Sequence, residues 1–301
     1  MKIQRPLPSV ALNNTTIKAA SFCWTSLFLL IAINPNTFGH SRIFWVEAAT
    51  ATSTTTATKM PNLKPLIVFC HGSGDTGSGV QAWVESLVPQ AVMNQFDWSF
   101  PTAKPIPYAL SGGAISSVWY DRIGGFDPSF PEHTASVEAS CDKLLALLDD
   151  EVAKDGRDSR QIVVGGFSMG GAIAYQTAAR WHATRGVHGK PLGAVFALSS
   201  YLCHDSKVWS LLQQDTMPNW PPTFVAHGAD DDFILPTWGQ ETYDRFVGMG
   251  APNSKYQLVP HTHHEMVGPE MAQLIEFLSN HVLEEDQDKS ATTTKASPSE
   301  L

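Results

Sequence analysis

The segment QIVVGGFSMGGAIAYQTAAR, residues 161–180, constrains the fold more than any other stretch of the chain. It joins a short β-branched run, typical of a buried strand, to an alanine-rich run typical of a helix. Ser168 lies at the junction, between Gly166 and Gly170, where a tight strand-to-helix turn leaves room only for glycine. The spacing G-x-S-x-G predicts a nucleophilic serine above the sheet, although a small-residue loop packing a helix on a sheet would give the same pattern.

Strand and helix candidates alternate over residues 60–285. The strand candidates are PLIVFC, QIVV, GAVFALSS, PTFVAHG and KYQLVPH, and the helix candidates lie around VQAWVESLVPQAV, TASVEASCDKLLALLDDEVA, the segment after Ser168, TWGQETYDRFVGM and PEMAQLIEFLSNHVL. This alternation predicts one α/β domain with a mostly parallel central sheet and helices on both faces. In such a sheet the ligand site lies beyond the carboxyl ends of the strands.

A nucleophilic serine needs a base to take its proton and a carboxylate to orient that base. In this fold class the chain order is serine, acid, histidine. After Ser168 the strand PTFVAHG is followed by an aspartate triplet and the strand KYQLVPH by a histidine cluster. Pattern alone leaves the acid open among Asp230, Asp231 and Asp232, and the base among His261, His263 and His264. An aspartate turn, or a metal site at HTHH, would be the competing interpretations.

Two backbone amides must also face the oxygen on which negative charge develops. Met169 follows the serine and supplies one, and the glycine-rich loop in PLIVFCHGSGDTGSG offers the other near Ser73. That loop lacks the lysine and the Ser/Thr of a phosphate-binding loop, and it lacks the acidic follow-up of a dinucleotide site. We therefore expect no nucleotide. We also expect no metal, because HTHH lacks soft or acidic co-ligands at a familiar spacing, and no other cofactor is implied.

Composition narrows the remaining functions. The net charge of −9 and the absence of a basic run argue against a nucleic-acid surface. The four cysteines are widely scattered, which does not suggest a disulfide framework.

The two ends of the chain differ from its centre. Residues 1–59 combine an acid-free start, the apolar run AASFCWTSLFLLIAI and a Thr/Ala-rich linker, which predicts a targeting segment that permits membrane association. As a signal peptide or anchor this segment favours the secretory pathway, and as a presequence it favours an organelle. In a third interpretation it is an extension that is absent from a product starting at Met60. Residues 286–301 form a polar tail, for which we expect disorder.

Several spaced segments resemble the acyl-protein thioesterases, most closely their lysophospholipase-like branch. They are HGSGDTGSG, FPTAKP, GGAISSVWYD, RQIVVGGFSMGG, GAVFALSS, HGADDDFIL with the nearby TWG, and HHE. The resemblance runs from about Leu66 to Val282 and implies an α/β-hydrolase fold. It also favours a cytoplasmic location, in conflict with the N-terminal segment.

Residue by residue, the resemblance implies Ser168 as nucleophile, Asp231 as acid and His264 as base. It places the oxyanion amides at Ser73 and Met169, and it places Trp119 at the acyl site. The family has glutamine where this chain has Met169, but only the backbone amide is needed there.

The combined expectation is a serine hydrolase that cleaves acyl thioesters or esters, with an S-acylated protein or a small acyl ester as substrate. A short-chain carboxylesterase or lysophospholipase without a protein substrate is the first alternative. An inactive acyl-binding module is the second. The sequence does not predict the oligomeric state.

Overall fold

The computed structural model describes residues 63–212 and 216–283, apart from the side chains of residues 154 and 155. The targeting segment and the polar tail expected from the sequence lie outside the described residues. Within the described ranges, no helix combines the length and the apolar character needed to cross a membrane.

Strands and helices alternate along the chain as the sequence predicts. The strands are β1 (Leu66–Cys70), β2 (Asp97–Ser99), β3 (Pro105–Tyr108), β4 (Ala114–Ser117), β5 (Ile162–Phe167), β6 (Ala194–Leu198), β7 (Thr223–Gly228) and β8 (Ser254–Val259). The helices are α1 (Gly77–Leu87), α2 (Gln90–Met93), α3 (Thr134–Asp155), α4 (Met169–Thr184), α5 (Val208–Leu211), α6 (Pro236–Gly248) and α7 (Gly268–Leu278), the last continued by a π-helical turn over Ser279–Leu283.

Six strands form one sheet in the order β2-β1-β5-β6-β7-β8, and every neighbouring pair is parallel. The mostly parallel sheet expected from the sequence is therefore confirmed. Strands β3 and β4 form a separate antiparallel hairpin. Because all six strands of the main sheet point the same way, the loops that follow them meet at one edge.

The sheet has an apolar core on each face, because side chains alternate along a strand. In β1, Leu66 and Val68 point into one core and Ile67 and Phe69 into the other. Helices α3 to α6 contribute to the first core, and α1 and α7 to the second. The buried β-branched runs seen in the sequence are thus covered on both sides, as parallel strands require.

Candidate active site

Ser168 lies on a sharp turn between β5 and α4, with φ 54° and ψ −121°. A non-glycine residue rarely adopts this conformation, which costs on the order of 1–3 kcal/mol. The neighbouring glycines allow it. A Cβ on Gly166 would stand 2.3 Å from the carbonyl oxygen of Cys70, and one on Gly170 only 2.0 Å from the same atom. The turn is therefore pressed against the end of β1, which fixes the direction of the serine hydroxyl.

The structure brings together one member of each candidate cluster. Nε2 of His264 lies 2.9 Å from Oγ of Ser168, and Nδ1 of the same ring lies 2.8 Å from Oδ2 of Asp231. Asp231 follows β7 and His264 follows β8, so the three side chains converge from three strand ends. The imidazole is flanked by the rings of Phe167 and Phe233, with centroids 4.8 and 5.1 Å away.

Asp231 is buried and held by several donors. Its Oδ1 accepts hydrogen bonds from the backbone amides of Phe233 and Ile234, at 3.0 and 2.8 Å. Its Oδ2 faces His264 and lies 3.4 Å from Nε2 of His227. Burial alone would raise the pKa of Asp231, but the bonds from His227, His264 and Ile234 outweigh it and hold the pKa well below its usual range. The carboxylate therefore stays ionised beside the imidazole.

The other candidates lie apart from this arrangement. Asp230 and His261 face solvent, with Nδ1 of His261 lying 3.8 Å from Oδ2 of Asp230, and the His261 side chain is 96% exposed. Asp232 and His263 are exposed as well. The sequence could not separate these neighbours because the choice depends on which side chain turns inward.

Both amide candidates line the same cavity as Ser168 and His264. Met169 is the first residue of α4, and the first amides of a helix have no acceptor within that helix. The loop after β1 that carries Ser73 is fixed on both sides. Nε2 of His71 accepts a hydrogen bond of 3.0 Å from the backbone amide of Ala103. The backbone amide of Gly74 donates one of 2.9 Å to the carbonyl oxygen of Ser117.

Trp119 does not line the cavity. It is 4% exposed within the core, its ring packs against His71 with centroids 5.0 Å apart, and its indole Nε1 donates to the His71 carbonyl at 2.8 Å. The structure thus places Trp119 behind the loop that carries Ser73. Its expected contact with an acyl chain stays a prediction.

The cavity has a volume of about 350 Å³ and a largely aromatic wall. Besides the residues expected from the sequence, it is lined by Trp83, Arg122, Phe126, Phe167 and Phe233, together with Gly72, Asp75 and Ile234. Sequence reasoning missed these residues. The segment YDRIGGF, a basic residue among aromatics next to two glycines, is the only sequence signal that could have pointed to Arg122 and Phe126.

Among the residues that the structure describes, no group of three or more His, Cys, Asp or Glu side chains is placed to hold a metal ion. The geometry instead provides a hydroxyl, a base and an ionised carboxylate in one hydrogen-bonded row. This is the arrangement of nucleophilic acyl transfer.

Comparison with known proteins gives consistent matches over the same region. Residues 52–282 match the family model described as Phospholipase/Carboxylesterase. The chain is 34% identical to lysophospholipase-like protein 1 of Mus musculus, over 69% of this chain and 83% of that protein. It is 26% identical to acyl-protein thioesterase 1 of Candida albicans, over 72% and 92%. The solved structure of Zea mays acyl-protein thioesterase 2 superposes with a TM-score of 0.62 at 27% identity, over 73% of this chain and 94% of that one.

Proposed function

This chain belongs to the phospholipase/carboxylesterase family and is an ester hydrolase with the α/β-hydrolase fold, and on that premise we propose that it cleaves acyl thioesters and esters through an acyl-enzyme on Ser168. The resemblance seen in the sequence is confirmed at the level of family and fold. The observation that carries the proposal is the hydrogen-bonded row of Ser168, His264 and Asp231.

In the first half of the proposed reaction, Ser168 Oγ attacks the carbonyl carbon while His264 Nε2 takes its proton. Asp231 accepts a hydrogen bond from Nδ1–H of His264, which fixes the tautomer and stabilises the imidazolium. The amides of Ser73 and Met169 donate to the oxyanion. The tetrahedral intermediate then expels the thiol or alcohol, which receives the proton from Nε2.

In the second half, water replaces the leaving group. His264 takes a proton from that water, the hydroxide attacks the acyl carbon, and Ser168 leaves with the proton returned by Nε2. The carboxylic acid is released and the free serine is restored. Nε2 of His264 thus acts once as base and once as acid in each half, and no cofactor enters the scheme.

The proposed substrates are S-acylated protein cysteines or small acyl esters. The names of the relatives support acyl thioesters and lysophospholipids as substrate classes. A cavity of about 350 Å³ has room for roughly twelve groups of the size of a water molecule. A short acyl chain fits inside, whereas a long chain would extend over the exposed apolar side chains of Phe233 and Leu235.

The second candidate function is a short-chain carboxylesterase without a protein substrate, because a short acyl chain fits wholly inside the cavity. The two functions share the chemistry of Ser168 and differ in the group that leaves. S-acylated peptides test the first, and simple acyl esters of the same chain length test the second.

The proposal is tested with a series of esters and thioesters from short to long chain, assayed with the full chain and with Ser168→Ala. We expect Ser168→Ala to lose nearly all turnover while its thermal unfolding temperature stays the same or rises, because alanine cannot add strain at that turn. Labelling by a fluorophosphonate should follow the same pattern. Turnover by Ser168→Ala at the wild-type rate would disprove the assignment. A wild-type protein that neither hydrolyses these substrates nor reacts with the fluorophosphonate would point to an inactive acyl-binding module.

A further inference from the structure

A buried guanidinium forms part of the catalytic cavity. Arg122 is only 9% exposed, yet it lines the same cavity as Ser168 and His264. A charged group is seldom taken so far out of water without an ionic partner, because desolvation of the charge is costly. The surroundings of Arg122 therefore indicate what the charge is for.

The groups that directly contact the guanidinium are electrically neutral. Nη2 donates to the hydroxyl of Tyr120 at 2.9 Å, and Nη1 donates to the hydroxyl of Tyr201. The rings of Tyr120, Phe126 and Tyr201 lie 5.2, 5.5 and 5.0 Å from the guanidinium carbon, within range of cation–π attraction. Burial and these rings do not remove the charge, since a guanidinium cannot be deprotonated in a protein.

No carboxylate of the described residues forms an ion pair with Arg122. Glu132 is a neighbour of Arg122, because the backbones of the two residues pair in an isolated antiparallel β-bridge. Its carboxylate, however, accepts bonds from Gln176 and from the amide of Lys207. The Nε hydrogen of Arg122 has no acceptor within the described part of the chain. Asp75 is a carboxylate that lines the same cavity, but no ion pair joins it to Arg122. Among the described residues, the guanidinium thus has no ion-pair partner, and its buried Nε–H donor has no acceptor.

We propose that Arg122 binds an anionic group of the substrate, so that the preferred ester or thioester carries a carboxylate or phosphate a few bonds from its reacting carbonyl. This inference rests on the proposed function. A guanidinium presents donors in a planar fork that matches carboxylate and phosphate oxygens. The small volume of the cavity sets the short spacing between that anion and the carbonyl beside Ser168.

A purely structural role is the alternative. Arg122 could serve only to hold Tyr120, Phe126 and Tyr201 together. In that case its loss would lower turnover of charged and neutral substrates by the same factor. The ratio of the two rates, measured on one preparation, separates the roles because it does not depend on the fraction of folded protein.

The experiment compares matched pairs of substrates on the full chain. One pair is the thioester of glutaric acid and the thioester of its methyl monoester, which places the charge on the acyl side. The other is an acylglycerol phosphate and the acylglycerol, which places it on the leaving side. We expect wild type to favour the charged member of at least one pair in kcat/KM, and Arg122→Gln to lower that preference by about tenfold or more. Arg122→Lys keeps the charge without the fork and should retain part of the preference.

Arg245→Gln is the matched control. It removes one positive charge from an exposed site on α6 and should leave the preference unchanged. A wild-type protein without charge preference in either pair, or an equal preference in Arg122→Gln, would overturn the inference. If the inference about Arg122 fails, the proposed function still holds provided that the wild-type protein hydrolyses the neutral substrates and Ser168→Ala does not.

If Arg122→Gln does not fold, inhibition of the wild-type protein decides. Glutarate monomethyl ester should then compete with a neutral ester at concentrations at which glutarate dimethyl ester does not. Equal inhibition by the two would refute the anionic site.

Discussion

Nδ1 of His264 lies 2.8 Å from Oδ2 of Asp231, although the two residues follow different strands and are 33 positions apart in the chain. The parallel sheet makes this contact possible because β7 and β8 end at the same edge. The carboxylate is kept ionised by its buried donors, so it can hold the imidazole in one tautomer throughout the proposed reaction.

Asp231→Asn should reduce kcat by on the order of 10⁴ with little change in KM, because the amide would favour the wrong tautomer of His264. Asp230→Asn alters an adjacent but solvent-facing carboxylate and serves as its control. Steady-state hydrolysis of one neutral ester by both variants checks this. Similar losses in the two would mean that Asp231 has no special role.

Trp119→Phe should lower kcat about threefold to tenfold. The variant loses the hydrogen bond from the indole to the carbonyl of His71, worth about 1 kcal/mol, which supports the loop that carries Ser73. Trp220→Phe removes a comparable buried bond, from the indole to Thr223, at the end of β7 opposite to the one that Asp231 follows. That control should cost stability without affecting kcat. A rise in KM that grows with acyl chain length in Trp119→Phe would instead support direct contact with the acyl group.

Gly170→Ala should destabilise the fold by about 1–3 kcal/mol and depress kcat, because the added methyl would collide with the Cys70 carbonyl. Gly248→Ala is the matched change at the end of α6, where an added Cβ meets nothing within 4 Å. There alanine should be neutral or stabilising by about 0.5–1 kcal/mol. Urea unfolding of the two variants tests the difference, and equal stabilities would argue against the tight turn.

Glu270 makes the stability of the fold depend on pH. Burial raises the pKa of this carboxyl, at the start of α7, from 4.5 to about 8. The folded protein therefore keeps a proton that the unfolded chain releases, and the free energy of unfolding falls as pH rises from about 4.5 to about 8, by at most about 1.4 kcal/mol per pH unit.

Glu270→Gln should remove this decline in the free energy of unfolding. The stability of the variant relative to wild type should therefore increase between pH 6 and pH 9. Glu276→Gln changes an exposed carboxyl of the same helix and should not alter the pH profile. Parallel profiles for wild type and Glu270→Gln would contradict the raised pKa.

Much of the fold was predictable because its strongest signals are local. The five predicted strands correspond to β1 and β5 to β8. The first four of these are apolar runs that both cores bury, whereas β8 at the edge of the sheet buries only Val259. The hairpin of β3 and β4 was missed because β3 contains Pro105 and Pro107, and proline is rare inside a sheet. It is tolerated here since the hairpin stands outside the main sheet. Strand β2 has three half-buried residues, too few to show a pattern.

The site was predictable in type more readily than in detail. Strand ends and chain order located the clusters that contain Asp231 and His264, and the family resemblance selected one residue from each. Arg122 escaped notice because its surroundings in the cavity include the ring and hydroxyl of Tyr201, which lies 79 positions away in the chain. Such a convergence has no periodic signature in the sequence.

Because the turn at Ser168 is strained, catalytic activity should depend on close packing between the end of β1 and the start of α4. The backbone conformation of Ser168 persists only while the end of β1 presses against the start of α4. Helices and strands have their own hydrogen bonds and can outlast a slight separation of these elements. Under gentle denaturation, esterase activity should therefore disappear while the circular dichroism spectrum still resembles that of the native protein.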